Sequence, residues 1–368
     1  MATLTCGFIG LGLIGGSIAK ALKHADSSIR IIAYDINRES VLLAKEEGIA
    51  DVMADCIDET FSACDYLFLC APVSHNDKNL SVIGQILSPE CILTDVGSVK
   101  GTTLKAVEAA GLSDRFIGGH PMAGSERVGY QNAKALLLQN AYYILTPTAQ
   151  TSPDKLSAYH SLVQKMGAIP LVLSDKEHDL VTAGISHLPH VIASTLVNLI
   201  KDADSSDGIM KQIAAGGFKD ITRIASSSPD MWQQICITNA ENISCLLQSY
   251  IDSLLEAKKA LDTRDAAALY TLFDTARTYR ESFINASSGP IKRIFDMHID
   301  IADKPGALAG VVSLLASSGI NIRNIGITHN REAAEGAMRI EFYDEAAQLM
   351  AEKLFLLQAG NRYKTAGG

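Results

Sequence analysis

Two short segments of this chain hold the side chains best suited to handling a proton: Asp95-Val-Gly-Ser-Val-Lys100 and Gly119-His-Pro-Met-Ala-Gly-Ser-Glu126. Histidine is the one side chain whose unperturbed pKa lies near neutrality, so His120 is a candidate acid–base group. Pro121 disfavours helix at the residue before it and pushes His120 toward extended backbone, as the last residue of a strand. Ser98 likewise follows an apolar, strand-like run. In open α/β sheets ligands bind beyond the carboxyl ends of the strands, so His120 and Ser98 are expected at one sheet edge.

Two further segments lie in the second half. Ser186-His-Leu-Pro-His190 sets two histidines three residues apart, but neither a third ligand nor an HExxH pattern accompanies them, so no metal is expected. Gly216-Gly-Phe-Lys-Asp-Ile-Thr-Arg223 opens on a glycine pair, and a helix starting there carries Lys219, Asp220 and Arg223 on one face. A solvent-exposed Asp220–Arg223 pair, which contributes little, is the plainer reading of those residues.

Stepping from an apolar strand into a helix, Gly10-Leu-Gly-Leu-Ile-Gly15 has the context a dinucleotide-binding turn requires on both sides. Gly10 permits the tight turn, Gly12 lets backbone approach a pyrophosphate, and Gly15 lets helix and strand pack closely. Asp35 ends the next strand about twenty residues on, where a carboxylate accepts from ribose hydroxyls and repels a 2′-phosphate, favouring NAD over NADP. Arg38 nearby is a feature that could instead accommodate such a phosphate. The cofactor site is expected to comprise Gly10, Gly12, Leu13, Ile14, Gly15 and Asp35, with Ala71, Pro72 and Val73 after the third strand.

The elements that must position these groups follow from the apolar pattern. Strands are expected at 5–11, 29–34, 66–70, 91–94, 116–119, 142–146 and 169–173, with helices between most of them at, for example, 14–22, 38–47 and 156–166. Short apolar strands alternating with helices imply a parallel sheet covered on both faces. This is an α/β Rossmann-like dinucleotide-binding domain over 1–174. From 175 to 286 only helical spacing is seen, including one helix over 232–261 started by Pro229 and Asp230, whose stripe is Ile235, Ile243, Leu246, Leu247, Tyr250 and Leu254. An all-α substrate and dimerisation domain, hence a homodimer, is expected. After a linker at 285–290 comes a βαββα order, with strands at 293–301, 321–328 and 337–343 and helices at 306–317 and 345–357, as in a small α+β ferredoxin-like domain at 292–363.

Bulk properties exclude several classes. With 368 residues, 47% hydrophobic and 20% charged, the chain is globular and has several cores. A net charge of −9 argues against nucleic acid or anionic lipid as partner. Seven scattered cysteines without metal-site spacing read as reduced, buried thiols. Neither a signal peptide nor an apolar run near the length of a membrane span is evident, so a cytoplasmic protein is expected.

Together the motifs from Gly7, Asp95, Gly119, Ser186 and Gly216 resemble the prephenate dehydrogenase family, in its order, over about residues 5–285. The resemblance implies NAD-dependent oxidative decarboxylation of prephenate to 4-hydroxyphenylpyruvate. It makes His120 the group that holds the substrate hydroxyl proton, with Ser98 orienting the imidazole. Arg223 and His190, with Lys219 and Asp220 beside them, become the substrate site, and Glu126 a gate at its entrance. Asp303-Lys-Pro-Gly-Ala-Leu-Ala309 resembles the start of an ACT domain, which implies inhibition by tyrosine bound near Asp303, Gly306 and Asn321. Arogenate is the rival substrate, and a non-catalytic NAD-binding amino-acid sensor the reading from another class.

Overall fold

Gly10 adopts φ +94°, and a Cβ there would meet Ala71 N at 2.5 Å, so only glycine brings the two chain segments this close. The turn it makes joins β1 (Thr5–Ile9) to α1 (Leu13–Ala25). In the computed structural model, which describes residues 3–124, 127–284, 295–301, 306–329 and 336–358, two compact units emerge, Met1–Ala266 and Ala267–Gly368.

The first unit continues with β2 (Arg30–Tyr34), α2 (Arg38–Glu46), β3 (Val52–Met53), β4 (Tyr66–Leu69), α3 (Val73–Ile86), β5 (Ile92–Asp95), α4 (Gly101–Ala109), β6 (Ile117–Pro121), β7 (Tyr142–Pro147), α5 (Pro153–Lys165) and β8 (Ile169–Val172). Five strands form a parallel sheet in the order β3-β2-β1-β4-β5. A parallel bridge from Leu93 to Phe116 brings β6 alongside β5. The order reverses between β1 and β4, the crevice at which Rossmann-like sheets bind dinucleotides. Phe8 stacks on Phe68, ring centroids 4.9 Å apart, at the centre of the core.

Two departures from the sequence reading occur here. The sheet is not wholly parallel: β6 and β7 run antiparallel, and β7 and β8 are parallel. The two-residue β3 is too short to show as an apolar run. The cysteine reading also needs amending, because Cys56 and Cys245 are exposed. Burial does push the Cys64 and Cys91 thiols up to about 12, so they stay protonated and unreactive.

The helical part of this unit holds α6 (Asp175–Thr182), a π-helical turn (Ala183–His187), α7 (Leu188–Ala203), α8 (Ile209–Ile213), α9 (Gly216–Thr222), a 3₁₀ turn (Arg223–Ser226), α10 (Pro229–Thr238) and α11 (Ala240–Asp262). The single helix expected over 232–261 is therefore two, broken at Asn239, whose side chain is drawn into the interior (below). Of its stripe, Ile235 and Ile243 are buried, whereas Leu254 is exposed. From α6 through α7 the backbone runs as one helix, Asp175–Ala203, of 29 residues, with a stretch of mean hydropathy 1.4. By length and composition it is long and apolar enough to cross a membrane, contrary to the sequence reading. The π turn Ala183–His187 lies in its middle, just ahead of Pro189, which has no N–H to donate.

α12 (Ala266–Ile284) falls almost wholly within the second unit. That unit continues with β9 (Phe295–Ile301), α13 (Ala307–Ser317), β10 (Ile322–His329), β11 (Gly336–Phe342) and α14 (Glu345–Gln358). Its antiparallel sheet has the order β10-β11-β9 and a core that includes Ile299, Val311, Leu315, Ile340 and Phe355.

Candidate active site

At the β1–α1 turn, α1 begins without a side-chain cap or an acidic residue in its first turn. Its leading amides, those of Leu13 and Ile14 among them, precede the first intrahelical bond and face any anion placed there, aided by the helix dipole. A Cβ on Gly12 would meet nothing within 4 Å, so a bare, open shelf lies where a pyrophosphate belongs. The Asp35 carboxylate accepts from Leu11 N at 2.6 Å through Oδ2 and from Asn37 N at 2.7 Å through Oδ1. Each oxygen keeps lone-pair capacity for a ribose hydroxyl, and the same group locks the glycine turn to the end of β2. Arg38 is turned to Asp55, 3.1 Å away at the surface. Ala71 follows β4 beside Gly10, Pro72 caps α3, and Val73 opens that helix. Ala71 O is held by Asn76 Nδ2 at 2.8 Å. The residues present fit a dinucleotide.

His120 lies in β6 at the same sheet edge, as expected. Its strand and the Ser98 loop are fastened by a buried ion pair that the sequence reading missed. Lys100 Nζ contacts Asp95 Oδ2 at 2.5 Å and Gly119 O at 2.6 Å, while Asp95 accepts from Gly97 N and Gly119 N. Gly119 itself is enclosed: a Cβ there would meet Asp95 O at 2.7 Å and Tyr159 Oη at 2.9 Å.

The partner of the His120 imidazole is not the expected one. His120 Nδ1 lies 2.8 Å from His178 Nε2, and among the described residues Ser98 makes no hydrogen bond to it. His178 arrives from α6, whose start is fixed by a Ser174–Glu177 capping box. Its Nδ1 meets Asp179 Oδ1 at 2.8 Å, and Asp179 also accepts from Lys100 N and Gly101 N at 2.8 and 2.9 Å. Burial, then His178, Lys100 and His187, hold the His120 imidazole well below the usual range. It is therefore neutral at pH 7 and able to accept a proton.

Around the π turn, Asn239 Nδ2 donates to Asp179 O at 2.7 Å and to His187 Nδ1 at 3.1 Å. This explains the break between α10 and α11. Burial pushes His187 down to about 4. His190 donates from Nδ1 to Ser186 O at 2.9 Å and stacks on Trp232, centroids 3.5 Å apart. Burial lowers its pKa, and the Arg223 guanidinium nearby adds to the effect. Arg223 ends α9, which packs on α7, and Lys219 and Asp220 lie exposed on α9.

Of the sequence-predicted groups, His120 packs on His178 at the sheet edge, and His190 lies near enough to Arg223 for the guanidinium to lower its pKa. Glu126 and Asp303 lie outside the described residues, as does the Val73 side chain. Missed were His178, Asp179, Asn239, Trp232 and the Lys100–Asp95 pair. Glu177-His-Asp179 looks in sequence like an ordinary acidic helix start, and its only further signal was an adjacent His-Asp pair.

Residues 18–171 match the model of the prephenate dehydrogenase nucleotide-binding domain, and 174–275 that of its dimerisation domain. The chain is 35% identical over 359 residues to prephenate dehydrogenase of Bacillus subtilis, covering 97% of this chain and 96% of that one. It is 31% identical to cyclohexadienyl dehydrogenase of Zymomonas mobilis over 74% of this chain and 93% of that protein. Among solved structures, prephenate dehydrogenase from A. aeolicus in complex with hydroxyphenyl propionate and NAD+ superposes with a TM-score of 0.73 at 32% identity, over 77% of this chain and 99% of its own. Synechocystis arogenate dehydrogenase gives 0.68 at 27% identity, over 76% of this chain and all of its own.

Proposed function

The chain belongs to the prephenate dehydrogenase family, and on that footing we propose that it oxidatively decarboxylates prephenate to 4-hydroxyphenylpyruvate in tyrosine biosynthesis, with NAD as hydride acceptor. The observation that carries this is His120 in β6 at the carboxyl edge of the sheet that also bears the glycine turn, neutral and hydrogen-bonded to His178 at 2.8 Å.

A bound NAD would supply the hydride acceptor for substrate C4. The chain's own residues do the rest. The turn at Gly10, Gly12 and Gly15 and the first amides of α1 hold the pyrophosphate, and Asp35 takes the ribose. His120 accepts a hydrogen bond from the C4 hydroxyl and takes up its proton as the C–O bond gains carbonyl character. Ser98 lies at the same edge, in the loop that Lys100 fastens to the His120 strand. Arg223 grips one carboxylate bidentately and His190 assists, its ring fixed by Ser186 O and Trp232. Lys219 and Asp220 border this site, and Glu126 gates it. Because aromatisation drives the chemistry, positioning and proton handling are the protein's main contributions.

Arogenate differs from prephenate by an amino group in place of a keto oxygen, and the likeness to Synechocystis arogenate dehydrogenase keeps it as the second reading. Initial rates of NADH or NADPH formation with each substrate and each cofactor decide. The highest kcat/KM is expected for prephenate with NAD. A preference for arogenate would reassign the substrate, and equal use of NADP would remove Asp35 as the discriminator.

A homodimer in the cytoplasm completes the reading. We assign 175–286 as its helical domain, in which Leu180, Ile185, Leu199, Ile237 and Leu255, all exposed and apolar, offer surface for the partner. We assign 292–363 as an ACT domain that binds tyrosine. The βαββα order and the β10-β11-β9 sheet support this. So does Gly306 at the start of α13, with φ +85°, where backbone can approach a ligand carboxylate; Asn321, exposed before β10, suits the amino group. Asp303 would complete this site. The A. aeolicus chain is covered almost entirely by 77% of this one, so a chain ending at Ser288 should keep its activity. It is expected to lose most tyrosine sensitivity; equal inhibition of both forms would place tyrosine at the active site instead.

A further inference from the structure

With one proton on each imidazole, the hydrogen bonds behind His120 run in one direction. Asp179 stays ionised: burial favours its neutral form, but bonds from His178 and from the Lys100 and Gly101 amides outweigh burial and hold the carboxyl below its usual range. A carboxylate accepts and cannot donate, so His178 Nδ1, 2.8 Å from Oδ1, carries the proton. With its one proton held at Nδ1, an imidazole at 178 presents a lone pair at Nε2, and His120 Nδ1, 2.8 Å away, is then the donor to it. That leaves the lone pair of His120 on Nε2.

On the reading that this site oxidises prephenate, we propose that His178 and Asp179 are positioning residues that fix the His120 tautomer, so that Nε2 is the atom receiving the substrate hydroxyl proton.

The balance of the reaction says what this chain of bonds is for. The C4–H bond breaks with its electron pair leaving as hydride. The bond from the ring to its carboxylate breaks, CO2 departs, and that pair completes the aromatic ring. The hydroxyl proton passes to His120 Nε2 as the C–O bond shortens and returns to the oxygen as the ring aromatises. No proton is left over, so the site needs no exit for one. The chain of bonds accordingly ends at a mostly buried carboxylate whose oxygens also hold the Lys100 and Gly101 amides. What it supplies is a fixed tautomer and, two rings away, an anion that steadies the transient imidazolium. Asn239 holds the backbone of Asp179 in place from the α10–α11 break.

A purely structural role would require only that Asp179 keep a donor. Two near-isosteric replacements separate the possibilities. His178→Gln sets an amide oxygen near the former Nε2 and keeps an acceptor for His120. His178→Asn sets an amide N–H near the former Nδ1, which satisfies Asp179 but leaves His120 without its acceptor. The unmodified enzyme is assayed first with prephenate and NAD; inactivity there would sink the reaction assignment instead. His178→Gln is expected to keep kcat within about tenfold, and His178→Asn to lose roughly 10²–10³-fold, with both KM values within about twofold. Equal kcat in the two variants, or full activity in the Asn variant, would overturn the proposal. So would raised KM with kcat intact, or loss of NAD binding by titration calorimetry in either variant, since both assign His178 to the framework.

Discussion

Replacement of His120 by asparagine should lower kcat by roughly 10²–10⁴-fold, the usual worth of a positioned acid–base group, with KM for prephenate almost unchanged. The substitution is chosen for what it keeps. An asparagine amide N–H lies near the former Nδ1 and can still donate to His178, so the end of β6 keeps its tie to α6. Only the basic Nε2 is lost. Steady-state kinetics with saturating NAD make the comparison, and near-normal kcat would remove His120 from the chemistry. The pH profile of the unmodified enzyme offers a second check. Because His120 is held well below the ordinary imidazole range, activity should persist below pH 6.5. Stability sets a limit in the same window: His187 is pushed down to about 4, so between pH 6.5 and 4 the unfolded chain binds more protons than the folded one, and stability falls as pH falls. A circular-dichroism melt at each pH separates the two effects.

The largest loss of stability is expected from Lys100→Met. Removing one partner of a buried ion pair leaves the other charge uncompensated, at a cost of about 3–5 kcal/mol. Here that charge is Asp95, 1% exposed, which also holds the Gly97 and Gly119 amides. Lys100 in turn bonds Gly119 O, next to His120. The variant should therefore unfold at markedly lower urea and lose kcat as well, since the loops bearing Ser98 and His120 lose a shared anchor. Adding Asp95→Leu should recover much of the stability, because an apolar pair of similar volume is often no worse than a buried ion pair. It should not recover kcat. An unchanged urea midpoint in the single variant would show that the pair contributes little.

The division between what was legible in the sequence and what was not follows from locality. The glycine turn, Asp35 and the placement of His120 rest on short-range rules: positive φ at Gly10, spacing to the next strand, and the effect of Pro121 on its neighbour. All three lie where those rules put them. The groups that orient His120 were not legible, because they are brought to it by packing across the chain. His178 lies 58 residues from His120, and Asn239 lies 60 from Asp179. Apolar periodicity treated 232–261 as one helix, since breaking it depends on a single buried asparagine finding two partners in α6 and the π turn. The continuity of Asp175–Ala203 was hidden as well, because polar and histidine positions interrupt its apolar residues and no unbroken apolar run shows in the sequence. Ser98 is a different case: the resemblance gave it the orienting role, whereas the hydrogen-bond partner at His120 Nδ1 is His178 from α6.

The measurement that bears most directly on the whole account is the stoichiometry of a single reaction. Prephenate labelled in its ring carboxylate is incubated with the enzyme and NAD, and NADH absorbance is followed alongside trapped labelled CO2. The account predicts one CO2 for each NADH, with both falling together in the His120→Asn variant. NADH without CO2, CO2 without NADH, or equal yields from the variant and the unmodified enzyme would contradict it.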